Sequence, residues 1–149
     1  MEWKNFDIEE INTPSETVEK SLNGFENATK GLLKLTLFEK SELERLRKKY
    51  LPSFQFDLVL HSQFMTNYKF DVLELLYDVT LYPCAIILEK GIAHELDVKN
   101  SQLVVALENE EELQKTLEKV FSTKRFESIV AGLMKITTVA KDEEDNLPF

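Results

Sequence analysis

The chain has a single cysteine, Cys84, among its 149 residues. One thiol makes no internal disulfide and falls short of the ligand set a structural zinc needs, which fits a reducing compartment. Glycine and proline are also sparse, four of each. That excludes collagen-like and low-complexity classes, and an array of tight hairpins in which every turn calls for Gly. No apolar run nears the ~20 residues of a membrane helix, and Met1-Glu2-Trp3-Lys4 opens no signal peptide. The expectation is a cytoplasmic protein with no membrane partner. Positive charge is scarce as well: 18 Lys+Arg stand against 27 Asp+Glu, for a net charge of −9. A uniformly basic binder of duplex nucleic acid is excluded, because such affinity comes from neutralising phosphates.

What is abundant is core material. Hydrophobic residues make up 43% of the chain and ten are Phe, enough for one packed domain at this length. Residues 1–12 are acidic with scattered Trp3, Phe6, Ile8 and Ile11, and read as an arm that packs on the body or swaps between subunits of a homo-oligomer. Thr13-Pro14-Ser15-Glu16 is a helix start, and Val18, Leu22, Phe25 and Ala28 continue the helical period toward a stop at Gly31. Leu33, Leu35 and Leu37 alternate with polar residues as a strand does, and so do Phe54, Phe56, Leu58 and Leu60. Between them, residues 40–50 read as a short helix ended by Pro52. Residues 68–77 suit a helix or a strand equally. Residues 79–82, 84–88, 92–98 and 103–107 read as further short strands, giving an antiparallel meander over 80–107. Asn109 with Glu112 restarts helix, and a second helical piece spans about 124–136. The expected class is α+β: a small, mainly antiparallel sheet of about four or five strands flanked by N- and C-terminal helices. It forms one domain over 13–140, with the arm before it and an acidic tail over 141–149 that is expected to be extended and flexible.

That tail is the most informative segment. Asp142, Glu143, Glu144 and Asp145 lead through Asn146 into Leu147-Pro148-Phe149. A Phe beside Pro is a stiff apolar plug worth roughly 1.5–3 kcal/mol when buried in a pocket. The acids and a terminal carboxylate can pair with Lys and Arg at the pocket rim. These residues resemble the acidic tip of bacterial single-stranded DNA-binding proteins, which typically ends in three Asp, then Ile or Leu, then Pro-Phe. The resemblance implies a docking peptide that recruits replication and repair enzymes. Leu147, Pro148 and Phe149 match it outright, Glu144 and Asp145 stand for its acids, and Asn146 departs from its third acid. The match covers nine of 149 residues. The long linker and Gly-rich barrel strands of that family are missing, so the body reads as an unrelated domain carrying the same tip, as in a phage or mobile-element protein.

Single-stranded DNA binding by the body needs a basic track beside aromatic platforms. Lys40, Arg45, Arg47, Lys48 and Lys49 against Glu42 and Glu44 make residues 40–50 net +3, and Phe54, Phe56 and Tyr68 follow. A solvated helix face beside core aromatics is the plainer reading of the same residues. Catalysis has little support: Cys84 lies in an apolar strand, His61 and His94 have no triad spacing, and Asp97-Val98-Lys99 with Asp78 is a weak echo of a nuclease metal site. No enzyme activity and no cofactor are expected. A competing class is a small acidic inhibitor, an immunity protein or a DNA mimic, presenting Glu110, Glu111 and Glu112 with Asp7, Glu9 and Glu10 to a DNA-processing enzyme.

Overall fold

Helix starts where the capping residues stand. The computed structural model describes residues 1–8, 10–41 and 52–145. Thr13 and Glu16 form a reciprocal capping box at α1 (Pro14–Ser21), with Pro14 in the first turn, where its missing N–H costs no hydrogen bond. The expected single helix to residue 30 is broken: Gly24 takes a left-handed φ of 89°, and only α2 (Phe25–Ala28) follows. Lys30 and Gly31, both at positive φ, then turn the chain into the sheet.

Five strands form an antiparallel sheet in sequential order: β1 (Leu33–Glu39), β2 (Phe54–Ser62), β3 (Lys69–Tyr77), β4 (Cys84–Leu88) and β5 (Val104–Leu107). The ambiguous run 68–77 is thus strand. Its apolar residues meet partners on both sides, Leu73 beside Leu58 and Leu88, Leu75 beside Phe56 and Ile86. The expected strand at 79–82 is instead a turn, with Leu81 at φ 70° and a cis Tyr82-Pro83 bond. The expected strand at 92–98 is also corrected. Residues Lys90–Glu95 form a short helix, α3, because the Glu89 carboxylate accepts from the amides of Gly91 and Ile92 and caps it. Beyond β5 come α4 (Glu110–Phe121), capped by Asn109, and α5 (Lys124–Asp145).

The core lies between one sheet face and the helices. Leu33, Leu58, Leu60, Leu75 and Ile86 from the sheet are fully buried with Val18 of α1, Ile92 of α3 and Leu113, Leu117 and Val120 of α4; Phe126 and Leu133 of α5 join the same cluster. Alternation then assigns the other face: Lys34, Thr36 and Phe38 of β1, Asp57, Val59 and His61 of β2, and Lys69, Asp71 and Glu74 of β3. A bulge on β3, where the register passes from Leu58–Leu73 to Val59–Asp71 and skips Val72, lets Val72 and Leu73 both be buried.

Two expectations about the ends change. The arm does not pack on the body in its first residues: Trp3, Phe6 and Ile8 are at least 70% exposed. The acids Asp142, Glu143, Glu144 and Asp145 are helical rather than extended, since α5 continues nine residues past the expected end near 136. Leu147, Pro148 and Phe149 lie outside the described residues.

Candidate functional site

Register builds the open sheet face into rows. Lys34 pairs with His61 and His61 with Lys69, so three nitrogenous side chains from three strands form one cross-strand row. The next row is Thr36, Val59 and Asp71, and the one after it Phe38, Asp57 and Glu74. Two residues further along β2 the face closes, with Gln55 and Leu76 buried. The Lys34–His61–Lys69 end stays accessible. A concavity of about 470 Å³ opens there, walled by Phe38, Asp57, His61, Tyr68, Lys69 and Asp71. That volume lies within the range of small-ligand pockets.

The aromatic walls are exposed for their size, Phe38 by 51% and Tyr68 by 41%. The rings of Phe38 and His61 are 6.4 Å apart. His61 Nε2 lies 2.8 Å from Thr36 Oγ1, which orients the imidazole across β1 and β2. Burial, and then the Lys34 charge, hold His61 below the usual histidine range. Burial pushes the Asp57 carboxyl up; Lys40 opposes this, while Glu74 and Asp71 add to it. Asp71 is exposed beside it.

The floor of the site is tied to α5. Ser62 Oγ accepts from the amides of Phe64 and Met65 at 3.1 Å each and from Thr137 Oγ1 of α5 at 2.9 Å. Lys141, one turn before the end of α5, lies over the Phe64 ring at 5.3 Å. The β2–β3 loop that forms one wall is therefore braced by the helix that leads to the acidic tip.

Of the residues proposed from the sequence for DNA contact, the described ones separate. Lys40 Nζ is 3.0 Å from Glu74 and 3.6 Å from Asp57, so its charge is spent on the sheet. Burial opposes that charge, but the two carboxylates outweigh it and raise the Lys40 ammonium above its usual range. Phe54 and Phe56 are corrected: both rings stack on Tyr77 on the helix-covered face, with centroids 5.3 and 5.8 Å away, and belong to the core. Tyr68 is on the pocket wall. Arg45, Arg47, Lys48 and Lys49 lie outside the described residues. Sequence reading missed Phe38 and Asp71 and weighed His61 only as a catalytic base. The signal for them was the polar half of the alternation in β1, β2 and β3, in which Phe38 stands as an apolar exception.

The other candidates have structural roles. Cys84 is buried and its thiol is pushed up to about 12, so it is no thiolate nucleophile. Asp78 accepts from the Ser53 amide at 2.8 Å, and Asp97 occupies a left-handed turn at φ 59°. Among the described residues no group of three His, Cys, Asp or Glu can hold a metal ion, and no helix is long and apolar enough to cross a membrane. Glu110 accepts from Asn12 and Thr17, and Glu112 from the Glu108 amide, so these acids are engaged in holding the start of α4. No protein-family model, curated protein or solved structure matches the chain.

Proposed function

We propose that this is a cytoplasmic, non-enzymatic protein of DNA replication or repair, whose body binds single-stranded DNA and whose acidic tip recruits partner enzymes. The observation that carries the reading is the run Asp142-Glu143-Glu144-Asp145 leading into Leu147-Pro148-Phe149. A merely solubilising tail has no use for an apolar plug after its acids. Four of the nine net negative charges belong to this run, so the acidity of the chain overstates that of the body. The engagement of Glu110 and Glu112 in the helix start weighs against the alternative, an acidic inhibitor presenting them in place of phosphates.

Fluorescence anisotropy with labelled oligonucleotides tests the first half. Binding to single strands should weaken with salt and tighten when residues 142–149 are removed. No binding by either form removes DNA from the reading and returns the inhibitor class to the front. For the second half, Phe149→Ala should abolish capture by an enzyme that binds the tips of bacterial single-stranded DNA-binding proteins. Unchanged capture would sink the docking role.

A further inference from the structure

Single-stranded nucleic acid is bound on sheet surfaces when exposed rings offer stacking planes and cations stand within reach of the backbone. Among the described residues, one end of the open face of this sheet has that combination. Phe38, on β1 where a surface strand would carry a polar side chain, and Tyr68, in the β2–β3 loop, flank the concavity, each over 40% exposed. His61 and Lys69 line its edge, and Lys34 continues the row beside His61, held in place by the register of three strands. Behind the row stand the carboxylates of Asp57 and Asp71. Asp57 already has Lys40 as its partner at 3.6 Å, whereas Asp71 is exposed.

The geometry points to this concavity as the seat of one nucleotide of a single strand, with the base on Phe38 and Tyr68 and the phosphate at the Lys34–His61–Lys69 row. The inference rests on the DNA-binding reading above and assigns it a surface on β1, β2, β3 and the β2–β3 loop. It also gives the site a base preference. A carboxylate accepts but does not donate, so Asp71 favours a base edge with adjacent N–H donors. Guanine presents two on its Watson–Crick edge, cytosine and adenine an exocyclic amine, and thymine a single imide N–H. A cationic peptide would also be drawn to Asp57 and Asp71. The cations disfavour it, since Lys69 lines the same opening and Lys34 stands beside His61 on the neighbouring strand.

The test is anisotropy with 12-nucleotide G-containing and all-T single strands, on the full chain and on the form lacking 142–149, beside NMR of the His61 ring. The G-containing strand should bind more tightly than the all-T strand, and Asp71→Asn should narrow that difference. Phe38→Ala removes a stacking plane and should weaken binding roughly 5- to 150-fold. Lys69→Gln should lower the slope of log affinity against log salt by about 0.7. Both side chains are exposed, so neither change threatens the fold, which far-UV circular dichroism checks. A phosphate at the row should raise the His61 titration midpoint on binding. Three outcomes overturn the inference. Binding that Phe38→Ala and Lys69→Gln leave untouched places DNA elsewhere and spares the DNA reading. No binding of any strand by either form ends both. His61 and Phe38 signals that move with an Arg-rich peptide and not with oligonucleotides make this a peptide site.

Discussion

The hydroxyl pair Thr137–Ser62 should hold α5 to the sheet with a measurable coupling. Thr137 is 0% exposed, and its Oγ1 donates to Ser62 Oγ at 2.9 Å, across 75 residues of chain. Thr137→Val keeps the side-chain shape, so no cavity term arises. Ser62 Oγ still receives the Phe64 and Met65 amides. The loss is one neutral hydrogen bond, about 1 kcal/mol. Ser62→Ala is worse because it strands three donors. Those of the loop can turn to water, since Phe64 is 39% exposed, but the buried Thr137 hydroxyl cannot. Its expected cost is about 2–3 kcal/mol. In the Ser62→Ala background, Thr137→Val removes that orphan and should cost nothing or restore stability. The coupling energy should therefore reach about 1 kcal/mol. Urea unfolding followed by circular dichroism at 222 nm, at unchanged m-value, measures all four corners of the cycle. Each kcal/mol corresponds to roughly 2–4 °C in Tm at this chain length. Additive single effects, with coupling below about 0.3 kcal/mol, would refute the claim that the bond anchors the helix.

Three further outcomes are expected. Glu95 caps α5 from a distance, accepting from the Lys124 amide at 2.7 Å and the Arg125 amide at 3.0 Å; Glu95→Ala should cost about 1–2 kcal/mol in urea unfolding and speed hydrogen exchange at residues 124 and 125. The last turn of α5 carries acids and no base where the helix dipole is negative, so Glu143→Gln with Glu144→Gln should raise ellipticity at 222 nm, by stabilising that turn about 0.3–1 kcal/mol per residue; an unchanged or lower signal would count against a helix reaching Asp145. The folded state holds the His61 midpoint down through burial and Lys34, so its contribution to stability is fully present above the unfolded histidine value of about 6.5 and is lost as pH falls through it toward the folded value. His61→Gln should flatten that part of the urea-midpoint profile between pH 7 and 5, and an unchanged slope would assign it to other groups.

Local chemistry was legible wherever a residue satisfies its own neighbourhood. Thr13 with Glu16 and Asn109 with Glu112 announce helix starts because caps bond within three residues. The alternation of Leu33, Leu35 and Leu37 announces a strand because side chains change face at each step. The helix at Lys90–Glu95 was not legible. Its apolar residues also suit a short strand, and what decides it is Glu89 folding its carboxylate onto the Gly91 and Ile92 amides while holding Arg125 at 3.1 Å from another helix.

The site divides in the same way. The sequence by itself determined an α+β chain with apolar alternation in its strands and an acid run before Leu147-Pro148-Phe149. Periods and charge runs need no partners to be read. The apolar half of the β2 alternation already put Phe54 and Phe56 on the face of Leu58 and Leu60, but it could not say which residues of other segments meet them, because that depends on pairing and packing across the chain. Tertiary packing stacked Phe54 and Phe56 on Tyr77, whose hydroxyl lies 2.8 Å from that of Ser15 on α1. It left Phe38 in the open, and strand register alone aligned Lys34, His61 and Lys69 from segments up to 35 residues apart. A row of that kind is a property of pairing between strands, and no single stretch of chain contains it.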